Sequence, residues 1–95
     1  MPTFIMLSTL GPDGAATLRD NPDRIRAVTA EVEAMGVKVV AQYALLGDYD
    51  FLNIIEAPDE MAIARLAVEL GARGTLKTQT FVAIPIDEFI EAVRD

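Results

Sequence analysis

The residues with the widest chemical range in this chain stand together as Gly47-Asp48-Tyr49-Asp50. Carboxylates flanking a phenol could take up a proton while the hydroxyl orients a substrate oxygen, with Asp48 or Asp50 as base and Tyr49 as donor. Joined by Glu56, the two aspartates could instead approach a hard cation, but no EF-hand spacing accompanies them and no metal site is expected. The same tetrapeptide also reads as a turn, with Gly47 supplying an unusual backbone angle, Asp48 an Asx-type bond and Tyr49 a packed ring. A second group, Gln42, Asn53, Lys77, Thr78, Gln79 and Thr80, is polar within apolar runs. A few such groups converging in an apolar pocket make a small-ligand site, whereas on an edge strand they need only solvent. The candidate ligand-binding set is therefore Gln42, Tyr43, Tyr49, Asp50 and Asn53.

Composition removes most other chemistry. The chain has no Cys and no His, so it lacks a thiolate nucleophile, an imidazole base, a disulfide framework and nitrogen or sulfur metal ligands. No cofactor is expected. Eight Lys and Arg against fifteen Asp and Glu leave a charge of −7, the wrong sign for nucleic acid or an anionic membrane surface. Arg65, Arg73 and Lys77 are too few to form a basic patch. Gly71-Ala-Arg-Gly74 follows a helical pattern rather than preceding one, so it suits a helix end and not a phosphate cradle. The N-terminus lacks a basic region and cleavage pattern, and no apolar run is long enough to span a bilayer, which points to a cytoplasmic protein.

The elements that must position these residues follow from punctuation and periodicity. At 95 residues the chain holds a single domain over 1–95. Thr3 to Thr9 is a strand stopped by Gly11-Pro12-Asp13-Gly14, and Ala15 to Arg19 can add a helical turn. Asn21-Pro22-Asp23 opens a helix ending at Gly36, with Ile25, Val28, Val32 and Met35 on its inward face. Val37 to Leu46 and Phe51 to Ala57 form a hairpin about the Gly47 tetrapeptide. Pro58-Asp59-Glu60 starts a second helix, Ala62, Ile63, Leu66, Ala67 and Leu70 are its inward stripe, and Gly71 ends it. Thr75 to Ala83 is the last strand, and Pro85 and Asp87 open a short helix anchored by Phe89, Ile90 and Val93.

This order is the α+β, ferredoxin-like βαββαβ arrangement with a C-terminal helix: a four-stranded antiparallel sheet carrying both main helices on one face. Counting by parity, Phe4 and Met6 oppose Ile5 and Leu7, and Val39, Tyr43 and Leu45 oppose Val40, Ala44 and Leu46. Both faces are apolar, and 52% hydrophobic content exceeds what a small monomer needs. Something must cover the second face. A second copy packed sheet on sheet does so; a C-terminal helix folded back over the sheet is the other way. Met1, Met6, Met35 and Met61 suit core or interface filling.

With Gly47-Asp48-Tyr49-Asp50 set in Leu45 to Leu52, and with Met1-Pro-Thr-Phe4, Glu56-Ala-Pro-Asp59 and the stretch from Leu70-Gly-Ala-Arg-Gly74 to Thr80, the chain resembles the GYD domain family. The resemblance covers nearly the whole sequence. It implies a ferredoxin-like subunit of the dimeric α/β-barrel kind, often assembled further, and it implies no reaction. Similar barrels include cofactor-independent monooxygenases, haem-handling enzymes and ligand sensors, and the absence of His argues against haem. Two functions fit. One is a non-catalytic homodimer or higher homo-oligomer with a small-molecule cavity between facing sheets; the other is a cofactor-independent enzyme using Asp48 or Asp50 with Tyr49. A pure assembly role is indistinguishable from the first on sequence.

Overall fold

The eight residues of Thr3–Leu10, rich in β-favouring and apolar types, form strand β1, which ends where Gly11 and Pro12 break the ladder. In the computed structural model, which describes residues 1–74 and 76–94, β1 is followed by helices α1 (Gly14–Asp20) and α2 (Arg24–Ala34) and the hairpin β2 (Lys38–Ala44) and β3 (Phe51–Glu56). Helix α3 (Glu60–Ala72), strand β4 (Leu76–Ala83) and helix α4 (Ile86–Val93) complete the chain. The expected start of the last strand, Thr75, lies outside the described residues. No helix among the described residues is long and apolar enough to cross a membrane.

Helix starts differ in detail from the sequence expectation. Asn21-Pro22-Asp23 forms a preliminary turn, with Arg24 N–H donating to the Asn21 carbonyl at 3.1 Å, and α2 begins only after Asp23. At α3 it is the Asp59 side chain that caps, accepting from Ala62 N–H at 2.9 Å, and Pro58 lies ahead of it. Gly71 does not end α3, which continues to Ala72; Gly74, at φ +72°, takes the left-handed conformation that terminates such helices.

The sheet is antiparallel with strand order β2-β3-β1-β4, the ferredoxin-like topology in which sequence neighbours β1 and β2 are separated by β3. One face carries the core. Phe4 and Met6 of β1 and Ile55 of β3 pack beneath Val32 of α2 and Ile63, Leu66 and Leu70 of α3. Burying an aliphatic side chain of this size contributes about 1.5–3 kcal/mol, so these residues hold the helices to the sheet.

Helix α4 stands apart. Its apolar residues Ile86, Phe89, Ile90 and Val93 fall on one helical stripe, yet each is exposed and the helix buries nothing. Among the described residues the expected anchoring of this helix by Phe89, Ile90 and Val93 is therefore not made, nor does α4 fold back as a cover for the sheet. The molecule is drawn out to 54 × 28 × 19 Å.

Candidate functional site

The face of the sheet turned away from α2 and α3 is the larger candidate surface. Strand register places Ile5 opposite Ile54 and Phe81, and Leu7 opposite Leu52 and Gln79. Ala41 and Tyr43 of β2 continue these two rows, because they pair with Ile54 and Leu52. The result is an apolar patch running across all four strands, with Tyr43 57% and Phe81 45% exposed. Its end is closed by the Lys38–Glu56 ion pair at 3.7 Å. A contiguous apolar surface of this kind, edged by charge, is the usual mark of an interaction face.

Parity alone misplaces part of β2. A bulge at Val40 puts an extra residue between Val39 and Ala41, and every later side chain changes face. Val39 therefore faces the helices and Tyr43 the open side, although simple alternation puts them together. The bulge also carries Gln42 to the helix side, where its Nε2 donates to Asn53 Oδ1 at 2.9 Å and Thr29 Oγ1 of α2 donates to its Oε1 at 3.3 Å.

The tetrapeptide is the turn of the β2–β3 hairpin, closed by Leu45 N–H donating to the Asp50 carbonyl at 2.8 Å. Gly47 has φ +144°, outside the range L side chains favour, which explains a glycine there. Asp50 is half-buried, and its Oδ2 accepts the Leu10 backbone N–H at 2.7 Å while its own N–H donates to the Ser8 carbonyl at 2.8 Å. It thus ties the hairpin turn to the end of β1. Asp48 is exposed. Tyr49 reaches across β1, beside Leu7 and Thr9, and its hydroxyl donates to Gln79 Oε1 of β4 at 2.8 Å. Glu56 lies at the far end of β3 from Asp50 and is paired with Lys38, so the three carboxylates do not converge.

The five residues expected to bind a ligand are thus divided by the sheet. Tyr43 and Tyr49 belong to the open face, Gln42 and Asn53 to the helix-covered face, and Asp50 to the turn that holds the two layers together. Sequence reasoning missed Gln79 as the partner of Tyr49, and it missed Thr29 as the partner of Gln42. The i to i+4 recurrence of Ile25 and Thr29 was the available signal for the latter, since it puts Thr29 beside the inward stripe.

A four-stranded ferredoxin-like α+β domain with one uncovered apolar sheet face is the class that this geometry defines. The GYD domain model matches residues 4–93, and the chain belongs to the GYD domain family. It is 53% identical over 95 residues to the protein called "Glutamine synthetase and cystathionine beta-lyase binding protein" of Thermus thermophilus, covering 99% of this chain and 100% of that one. Among solved structures, FFRP-DM1 superimposes with a TM-score of 0.58 at 21% identity, covering 88% of this chain and 100% of that one. Hypothetical protein PHS023 from Pyrococcus horikoshii gives 0.57 at 21% identity, covering 90% and 92%. At such identities these two structures speak for the fold alone.

Proposed function

We propose that this chain is a non-catalytic, homo-oligomeric binding module whose protein partners are glutamine synthetase and cystathionine beta-lyase. The observation that carries the reading is the 53% identity, through the full length of both chains, to a protein named for binding those two enzymes. The chemistry of the site agrees with a binding role: Asp50 is committed to the Leu10 amide and Tyr49 to Gln79, while Asp48, the other candidate base, is exposed to solvent.

The homo-oligomer is a dimer with the open sheet faces opposed, in the manner of a dimeric α/β barrel. A sheet of this size presents roughly 400 Å² in plan, below the ~800 Å² per partner of a stable interface. The exposed stripe of α4 supplies the remainder, which explains an amphipathic helix that buries nothing on its own subunit. Any small-molecule cavity enclosed between the sheets would be lined by Tyr43 and Tyr49, with Gln42 and Asn53 screened from it by the sheet.

Light scattering coupled to size exclusion tests the assembly, and titration with the purified enzymes from the same genome tests the partners. A salt-resistant dimer or multiple of it is expected, together with saturable binding of both enzymes. A monodisperse monomer would sink the assembly, and failure of both enzymes to bind would sink the partner assignment.

A further inference from the structure

Helix α2 does not settle onto the sheet as α3 does. Only Val32 of α2 is buried, while Ile25, one turn from Val28 on the inward face, remains 38% exposed. Beneath α2, between it, α1, the C-terminal half of α3 and the helix side of the sheet, lies a partly open cleft of about 320 Å³. A partly open cleft of this size falls in the range of small-ligand pockets.

Its walls have a consistent chemistry. Met6, Leu10, Leu18, Ile25, Val28 and Phe51 make the body apolar. On one side stands the Thr29–Gln42–Asn53 hydrogen-bonded chain. A carboxamide has two N–H donors, and Gln42 spends one on Asn53, leaving one for an acceptor in the cleft. Arg24 and Arg73 also line it, and both pair with Glu31, the Arg24 contact being 3.8 Å. Two guanidinium groups against one carboxylate leave a single positive charge beside an apolar chamber.

We propose that this cavity binds a small amphipathic monocarboxylate, its apolar body among Val28, Leu18 and Phe51 and its carboxylate at the Arg24–Arg73 side. At about 30 Å³ per non-hydrogen atom, by analogy with water's share of liquid volume, the space suits a ligand of roughly ten such atoms. The site lies within one subunit and on the opposite side of the sheet from the proposed dimer face, so it stands or falls independently of the protein partners.

Sodium octanoate, which has about that many atoms, is the probe, followed by calorimetry and by the side-chain amide resonances of Gln42 and Asn53. Saturable binding, one per chain, with shifts in both amides is expected. Val28→Phe fills the chamber with an apolar ring and is expected to weaken binding at least about tenfold without loss of the folded state. Arg24→Gln combined with Arg73→Gln is expected to weaken octanoate and leave 1-octanol unaffected, because only the former carries a charge. Leu52→Glu, on the open face, is expected to leave octanoate binding intact. Absence of saturable binding would overturn the proposal. So would binding that survives Val28→Phe and is lost in Leu52→Glu, which would move the ligand to the space between sheets, as would equal loss of octanoate and octanol in the arginine double variant.

Discussion

The two βαβ halves of the chain use the same plan to different ends. In the half built from β3, α3 and β4, the helix is rich in Ala and Leu, is capped by a side chain at Asp59, and buries Ile63, Leu66 and Leu70. In the half built from β1, α2 and β2, the helix has no side-chain cap, buries Val32 alone, and stands over a cavity. The difference teaches that stability and adaptable surface are divided between the halves. One helix is held down by apolar area, and the other meets the sheet through Val32 and the exposed Thr29–Gln42–Asn53 hydrogen bonds.

Substitutions that exchange the character of the halves test this division. The largest effect is expected from Leu66→Ala, since Leu66 is 1% exposed and its truncation removes a fully buried side chain at the border of the cleft; a loss of about 2–5 kcal/mol should show as a lower denaturant midpoint. Asp50→Ala should follow at about 1–3 kcal/mol, because Leu10 N–H loses its charged acceptor. Amide exchange at Leu10 should accelerate more than at Phe4 in that variant. Asp59→Ala is expected to cost about 1 kcal/mol by freeing the Ala62 N–H. Its effect on hydrogen exchange should be confined to the first turn of α3. The smallest effect belongs to the loose half: Ile25→Ala should cost about 1 kcal/mol or less, because Ile25 is already 38% exposed and borders empty space. An Ile25→Ala cost equal to that of Leu66→Ala would break the comparison.

Much of the architecture is legible in the chain itself. Glycine and proline mark the ends of segments through the backbone angles they favour, and the stripe of Ile63, Leu66 and Leu70 is visible because helical periodicity is a local property. The site is less legible. Gln42 and Asn53 stand out as polar residues in apolar strands, but their face depends on the bulge at Val40, which has no punctuating glycine or proline to announce it. Asp50 stands out as one of two carboxylates in a turn; its bond to Leu10, forty residues away, cannot be read from neighbours in sequence.

The sequence by itself determined the element order, the apolar character of both sheet faces, the lack of imidazole and thiol chemistry, and the glycine that the turn at 47 requires. These are consequences of composition and of interactions among residues close along the chain. Only the tertiary structure decided which polar residues share a layer, that Tyr49 spends its hydroxyl on Gln79, that α2 stands over a cleft, and that no residue of α4 is buried. Those outcomes depend on strand register and on how helices of unequal hydrophobicity settle against a common sheet, and both are set by contacts between segments far apart in sequence.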